Sequence, residues 1–177
     1  MNFNSYTIVI TGLGGQGLIS ILQILGNALI AKKYKVITSE THGLSQRGGK
    51  VICFLRFGNM LNAPIPMIAS AEMIIATEKS CILDVLKYAK PNKSTKLIIS
   101  TYEKETISEA YPSEVYLLNI LNETSNNIYF VPAIEIAEEL DKSQKAANIV
   151  ILGYILRFLP LSKEELECSL KRQFSDT

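Results

Sequence analysis

The sequence predicts an α/β domain with a Rossmann-like, three-layer architecture, a mainly parallel sheet and a helical C-terminus. Short apolar runs rich in β-branched residues alternate with helical patterns along the chain, which is typical of a parallel sheet covered by helices. A glycine-rich turn follows the first run directly, and the pattern from residue 133 onward is helical. The 177 residues fit one domain, which we expect to span residues 1–177.

The first half of the chain supplies four of the predicted strands. Residues 6–11 form an apolar, β-branched run that is typical of a strand buried on both faces. A helix is expected over 18–33, because its last turn carries two lysines whose charge suits a helix C-terminus. Further strands are expected at 35–39, 50–57 and 73–77. The stretch APIP at 63–66 is expected to be irregular, since its prolines lack the backbone N–H.

The second half is expected to complete the sheet and then to turn helical. A helix is predicted over 78–90, where a proline follows, and another over 113–122. Strands are predicted at 96–101 and 128–131. Three helices are predicted after these strands, at 133–140, 144–159 and 162–174. Ser162 and Glu165 have the spacing of a capping box, which predicts the start of the last helix.

Charge and hydropathy exclude two classes of partner. With 18 basic and 17 acidic residues, the net charge of +1 gives no field that would attract nucleic acid or an anionic membrane. The longest apolar stretch, 18–31, is interrupted by polar residues and is too short to span a bilayer. The N-terminus lacks the pattern of a secretory signal. We therefore expect a cytoplasmic protein without nucleic-acid or membrane partners.

The cysteines do not form a metal-binding pattern. Cys53, Cys81 and Cys168 are far apart in the sequence, and the chain has a single histidine. Such a set cannot build an iron–sulfur cluster or a closed zinc site. We therefore expect no metal site in this chain and interpret the cysteines as small buried residues of a reduced protein.

The first candidate loop is the turn within ITGLGGQGL. Gly12, Gly14 and Gly17 complete a G-x-G-x-x-G pattern, and Gly15 and Gln16 lie inside it. Such a turn brings strand and helix close together and presents backbone N–H groups to an anion. Three uses of the turn remain open. The first is nucleotide binding, in which Glu40, about 20 residues further on, would be the acid that binds a ribose. The others are strand–helix packing without a ligand, and binding of another anion or of a partner's backbone.

The second candidate loop reads ETHGLSQRGGKV and follows the second predicted strand. It contains Glu40, His42, Gln46 and Arg47, followed by Gly48 and Gly49. The Arg47 guanidinium suits a carboxylate or phosphate, and the glycines let the backbone approach what it contacts. Alternatively, Arg47 pairs with Glu40 and His42 is only a turn residue. Ligands of such folds bind beyond the carboxyl ends of the strands, where both loops are expected.

Together the two loops resemble a known family. GLGGQG followed by ETHGLSQRGGKVICFLRFG is similar to the gamma-type subunits of 2-oxoacid:ferredoxin oxidoreductases, most of all to the indolepyruvate ferredoxin oxidoreductase beta subunit. Weaker similarities are APIP at 63–66, AEMIIATE at 71–78 and KAANIVILG at 145–153. The resemblance extends over about 7–159. Departures from the family pattern are Leu44 for methionine, Ala63 for serine and Glu72 for aspartate.

The resemblance implies a role in a larger enzyme. Enzymes of this family decarboxylate a 2-oxoacid oxidatively with coenzyme A, giving an acyl-CoA, carbon dioxide and reduced ferredoxin. Thiamine diphosphate, with magnesium, and [4Fe–4S] clusters are then expected on partner subunits. For this chain the resemblance implies an accessory subunit without catalytic residues of its own, whose two loops contact substrate, an anionic group or a neighbouring subunit. The apolar helix over 18–31 is expected to pack against a partner or only within its own core, and a homodimer is a further option.

Two other functions remain open from the sequence. One is a stand-alone Rossmann-type dinucleotide-binding protein, which the glycine turn alone would favour. The other is a non-catalytic interaction protein that has kept the fold without the enzyme. The substrate side chain and the identity of the partners cannot be predicted from these residues.

Overall fold

The computed structural model describes residues 4–42, 49–105, 110–141 and 146–175. Six strands form one sheet in the order β2-β3-β1-β4-β5-β6. They are β1 (Tyr6–Leu13), β2 (Lys35–His42), β3 (Lys50–Gly58), β4 (Met73–Ala76), β5 (Lys96–Ser100) and β6 (Asn127–Val131). All six lie where the sequence predicts strands.

The sheet is mixed, with one strand running against the others. β1, β4, β5 and β6 pair in parallel, whereas β3 pairs antiparallel with both β1 and β2. β2 therefore points in the same direction as β1 but is separated from it by β3. The predicted α/β class with a mainly parallel sheet is confirmed. The antiparallel strand between β1 and β2 is an addition that the strand pattern did not predict.

Helices cover both faces of the sheet. They are α1 (Leu18–Ala31), α2 (Glu114–Thr124), α3 (Ala133–Asp141), α4 (Ala147–Ile155) and α5 (Lys163–Ser175). Ile8 and Ile10 of β1 pack in a cluster with α1, α4 and α5, whereas Val9 packs on the other face with α2. This alternation follows from the two-residue period of a strand. The three-layer arrangement is thus confirmed.

The helix predicted over 78–90 is a shorter 3₁₀ helix, Ser80–Tyr88. Its ends are held by other segments: the Cys81 N–H donates to the Glu78 carboxylate, and the Ala71 N–H donates to the Tyr88 carbonyl. A 3₁₀ helix rises about 2.0 Å per residue against about 1.5 Å for an α-helix. The tighter helix therefore covers more distance between these anchors with the same number of residues.

The C-terminal helices follow the prediction with one change. The helix predicted over 144–159 is α4 followed by a 3₁₀ turn, Leu156–Phe158, while its first two residues lie outside the described part of the chain. The capping box at the start of α5 is confirmed. The Ser162 N–H donates to Glu165 Oε2 at 2.7 Å, and the Glu165 N–H donates to Ser162 Oγ at 3.3 Å.

Candidate functional site

The glycine loop turns the chain from β1 into α1. Gly15 and Gly17 have φ angles of 92° and 74°, in a range that residues other than glycine rarely adopt. A Cβ at Gly17 would also lie 2.7 Å from Asn148 Nδ2, whereas a Cβ at Gly15 would meet nothing within 4 Å. Gly15 is thus required for its backbone conformation alone, and Gly17 for both conformation and space.

Gly12 makes room for a side-chain bridge inside the loop. Gln16 Oε1 accepts hydrogen bonds from the Leu13 N–H at 2.7 Å and from Thr77 Oγ1 at 2.8 Å. A Cβ at Gly12 would lie 1.9 Å from that same Thr77 oxygen and 2.7 Å from Gln16 Oε1. The first glycine of the motif therefore accommodates the loop's own glutamine, which ties the loop to the end of β4.

Asn148, at the start of α4, anchors the loop from its other side. Its Nδ2 donates to the Gln16 carbonyl at 2.7 Å and lies 3.4 Å from the Gly17 carbonyl. The asparagine thus connects two motifs that are about 130 residues apart in the chain. In the sequence it was noted only as part of the KAANIVILG similarity, because a long-range hydrogen bond leaves no periodic signal.

A cleft of about 430 Å³ opens beside this loop at the carboxyl edge of the parallel strands. This volume is in the usual range for small-molecule sites. Isoleucine and leucine side chains of α1, α3 and α4 form its apolar wall. Its polar groups come from the loop, from the ends of two strands and from the first turns of α1 and α4, and they are Gln16, Ser20, Thr77, Ser100, Tyr102 and Asn148.

The charge distribution in the cleft favours an anion. The N-terminal ends of α1 and α4 both contribute to its lining. Each helix start carries backbone N–H groups without intrahelical partners and the positive end of the helix dipole. The cleft can therefore hold a molecule that is partly apolar and carries a negative group.

The second loop reaches the first one through the backbone. The Gly14 N–H donates to the Gly49 carbonyl at 2.9 Å, so the structure brings these two predicted site residues together. His42 ends β2, where its backbone is in register with Val51. Gln46, Arg47 and Gly48 lie outside the described residues.

Glu40 does not occupy the position of a ribose-binding acid. It is exposed on β2, in register with Cys53 of β3. Because β3 lies between β2 and β1, Glu40 is two strand spacings, about 10 Å, from the strand that leads into the glycine turn. In the dinucleotide fold the acid-bearing strand is the direct neighbour of that first strand. The geometry therefore does not fit the dinucleotide fingerprint.

The three cysteines do not fit an iron–sulfur cluster. Cys53 is buried in β3 among the residues that pack on α1, and burial, with the nearby Glu40 charge, raises the pKa of its thiol to about 11. Cys81 is buried on the 3₁₀ helix at the opposite face, and Cys168 is exposed on α5. The three sulfurs thus belong to separate parts of the fold.

Within the described ranges, no group of three or more histidine, cysteine, aspartate or glutamate side chains is arranged to hold a metal ion. None of the helices in those ranges combines the length and apolar composition needed to cross a membrane.

Comparison with known proteins gives a consistent match. The family described as "Pyruvate ferredoxin/flavodoxin oxidoreductase" matches residues 7–177. The indolepyruvate oxidoreductase subunit IorB of Archaeoglobus fulgidus is 33% identical over 172 residues, which cover 93% of this chain and 83% of that protein.

Two solved structures share the fold. The 2-oxoglutarate:ferredoxin oxidoreductase of Magnetococcus marinus, solved with 2-oxoglutarate, coenzyme A and succinyl-CoA bound, matches with a TM-score of 0.74 and 19% identity over 99% of this chain. The match spans only 28% of that longer chain. The pyruvate oxidoreductase subunit PORC of Thermotoga maritima matches with a TM-score of 0.69 and 17% identity, covering 96% of this chain and 85% of that one.

The resemblance first indicated by the two loops is thus confirmed over nearly the whole sequence. Both the sequence match and the similarity of the fold agree with it. The chain belongs to the pyruvate ferredoxin/flavodoxin oxidoreductase family.

Proposed function

We propose that this chain is the gamma-type subunit of a thiamine-dependent 2-oxoacid:ferredoxin oxidoreductase of the indolepyruvate type. The 33% identity to the A. fulgidus IorB subunit supports this assignment. In the assembled enzyme a 2-oxoacid and coenzyme A would give an acyl-CoA, carbon dioxide and reduced ferredoxin. The chain acts in this complex as one domain, residues 1–177, in the cytoplasm.

The cleft beside the glycine loop is the observation that carries the proposal. It combines an apolar wall with hydroxyl groups and two helix N-termini, a lining that suits a ligand with an apolar part and an anionic group. Coenzyme A and the 2-oxoacid both carry such groups. We assign the contacts to the first loop, Gly12–Gly17, and to His42, Gln46, Arg47, Gly48 and Gly49 in the second.

The redox chemistry is assigned to partner subunits. The cysteines of this chain are too far apart to hold a cluster, so the [4Fe–4S] clusters, the thiamine diphosphate and its magnesium belong to the rest of the complex. This chain completes the wall of the active site or an interface between subunits, including an interface with a second copy of itself. Ferredoxin is reached through the complex.

Purification of the native complex tests the proposal directly. The chain, tagged in its own cell, should copurify with a thiamine-binding, cluster-bearing subunit, and the complex should reduce a viologen dye when given a 2-oxoacid and coenzyme A. Rates with indolepyruvate, pyruvate and 2-oxoglutarate would identify the substrate. Partners that lack both cofactors would support a non-catalytic interaction protein, and a nicotinamide or flavin nucleotide retained by the purified chain would support a dinucleotide-binding protein.

Arg47 provides the sharpest test of the second loop. We expect Arg47→Ala to lower dye reduction by about tenfold or to weaken assembly of the complex, because a charge-assisted contact to an anion is worth roughly 1.5–3 kcal/mol. Lys171→Ala on the exposed side of α5 is the matched control, since it also removes one cation. Unchanged turnover and unchanged assembly in Arg47→Ala would refute this role.

A further inference from the structure

Glu78 is a fully buried acid two residues after the end of β4, at the edge of the sheet that carries the cleft. Its Oε2 accepts hydrogen bonds from Ser80 Oγ at 2.6 Å and the Cys81 N–H at 3.0 Å. Its Oε1 accepts from the Lys104 N–H at 3.3 Å and Tyr111 Oη at 2.7 Å. Both carboxylate oxygens therefore hold a neighbouring segment in place.

The ionised form of Glu78 is favoured in spite of its burial. Burial by itself raises the pKa of this carboxyl. The hydrogen bonds from Ser80, Tyr111 and Cys81 lower the pKa by more than burial raises it, so the pKa lies below the ordinary value. The side chain is a carboxylate at neutral pH. A charge in this position is stabilised by the hydrogen-bond donors around it.

The same end of β4 also fixes the backbone of Tyr102, which lines the cleft. The Lys79 N–H donates to the Tyr102 carbonyl at 2.9 Å, and the Tyr102 N–H donates to Ser100 Oγ at 3.2 Å. Two residues further on, the Lys104 N–H is held by Glu78. The Glu78–Lys79 pair thus holds the chain at and just after Tyr102.

Ion pairs of Lys79 reinforce this arrangement. Its Nζ lies 2.7 Å from Glu103 Oε1 and 2.9 Å from Glu114 Oε2, while the lysine side chain is mostly buried. Glu103 follows Tyr102 directly, and Glu114 begins α2. The segment after β5 is therefore connected to β4 both through the backbone and through side chains.

We propose that Glu78 is a positioning residue, which holds Tyr102 in the wall of the cleft and thereby sets the affinity of the cleft for its anionic ligand. This inference rests on the proposed function, because it takes coenzyme A as the ligand that the cleft holds. Glu78 does not itself line the cleft. It acts through the segment that it binds.

Glu78 needs both of its carboxylate oxygens as acceptors, because each of them accepts a backbone N–H. A glutamine has one oxygen and one NH₂ group, so either the Cys81 or the Lys104 N–H would face a donor. Neither backbone N–H can reverse its direction. The Cys81 N–H bond, at 3.0 Å, is shorter than the Lys104 N–H bond, at 3.3 Å, so the glutamine oxygen should stay on the Cys81 side. Glu78→Gln should therefore release the Lys104 segment while it keeps the shape of the side chain.

The isolated chain gives the first measurement. In Glu78→Gln, trypsin should cleave after Lys104, which is exposed, at least about tenfold faster than in the wild type, as followed by mass spectrometry of the fragments. Burial raises the pKa of Tyr111 most, and the Glu78 carboxylate raises it further, so loss of the carboxylate should lower this pKa part of the way toward the ordinary value of a tyrosine. A tyrosine titration monitored by ultraviolet absorbance should then show ionisation of Tyr111 shifted to lower pH.

The complex gives the second measurement. With Glu78→Gln incorporated, we expect KM for coenzyme A to rise about tenfold while kcat stays within about twofold, because the ligand is held less well and the reacting groups are unchanged. Glu72→Gln is the matched control. It alters another glutamate that accepts a backbone N–H, but at the opposite end of β4, and should leave this KM, the cleavage after Lys104 and the tyrosine titration unchanged.

Three results would overturn the inference. They are wild-type cleavage and titration in Glu78→Gln, a released segment with unchanged KM, and an equal rise of KM in Glu72→Gln. If Glu78→Gln does not fold, Tyr111→Phe removes a single donor to Glu78 and should produce the same changes in cleavage after Lys104 and in KM at about threefold. If the wild-type complex does not use coenzyme A, the proposed function fails, and the inference falls with it even if proteolysis and titration show that Glu78 orders the segment.

Discussion

The two ends of β4 carry the same type of side chain in different surroundings. At the amino end, Glu72 accepts the Thr7 N–H at 2.6 Å and pairs with Lys90 Nζ at 2.5 Å. Both partners of this ion pair remain about a quarter exposed. At the carboxyl end, Glu78 has no exposure and is held by hydroxyl and backbone donors instead of a cation.

The Glu72 contacts at the amino end stabilise the fold, whereas the Glu78 contacts at the carboxyl end position a segment of the cleft. The amino end closes the sheet by joining β1 to the start of β4, and no side chain of that contact lines the cleft. The carboxyl end connects the glycine loop, through Thr77, to the segment that contains Tyr102. Changes at the amino end should therefore alter stability alone, whereas changes at the carboxyl end should alter ligand binding as well.

The largest effect is expected from Gly12→Ala, at the carboxyl edge. The new methyl group would lie 1.9 Å from Thr77 Oγ1, so the bridge between Gln16 and Thr77 has to break. Overpacking together with an unsatisfied buried hydrogen bond should lower the free energy of unfolding by about 3 kcal/mol or more. Chemical denaturation of the isolated chain measures this loss.

Gly15→Ala is the control for Gly12→Ala. The added methyl group would have open space, and only the positive φ opposes it, so the loss should be about 1–2 kcal/mol. Equal losses for the two variants would contradict the view that Gly12 is needed to make room for the Gln16 bridge.

A smaller effect is expected at the amino end from Glu72→Gln. The substitution removes a partly buried ion pair with Lys90 but keeps an oxygen that can accept the Thr7 N–H. The free energy of unfolding should fall by about 1 kcal/mol. A loss of ligand affinity in this variant, measured in the complex, would break the distinction between the two ends.

The smallest effect near neutral pH is expected from the titration of Glu78. Because its pKa is lowered in the folded state, its contribution to stability is full above the pKa of an unfolded glutamate, about 4.3, and is lost as the pH falls through the lower folded value. Tyr111 and Cys81, which face it, have raised pKa values and stay protonated there. Denaturation curves at pH 3–5 should therefore show a steeper loss of stability in the wild type than in Glu78→Gln, and equal slopes would contradict this.

Much of the fold could be predicted from local patterns. The strands β1, β3, β4 and β5 lie in apolar runs whose side chains alternate between the two core clusters. The capping box at Ser162 has the hydrogen bonds that its spacing predicts. Such features depend on residues that are close in the sequence. The glycine turn was also predicted, although its three possible uses could not be distinguished from the sequence.

The missed features all depend on contacts between distant segments. Nothing in the run at 50–57 indicates that β3 lies between β1 and β2, because strand order is decided by packing. Three residues of the cleft lining come from distant parts of the chain, and they are Thr77, Tyr102 and Asn148. Thr77 and Asn148 are linked to the glycine loop by hydrogen bonds across large sequence separations. In the sequence Glu78 is the last residue of AEMIIATE and the first of the helix predicted over 78–90, and neither position indicates that its side chain is buried.

The antiparallel strand β3 has a consequence for how the family can diversify. Since β2 and β3 are consecutive neighbours that run antiparallel, only six residues, 43–48, connect His42 to Gly49. A connection of this kind can change in length and composition at little cost to stability. Yet its end at Gly49 is bonded to Gly14 of the glycine loop. A change in this connection can therefore reach the glycine loop through Gly49, while the strands of the sheet are kept.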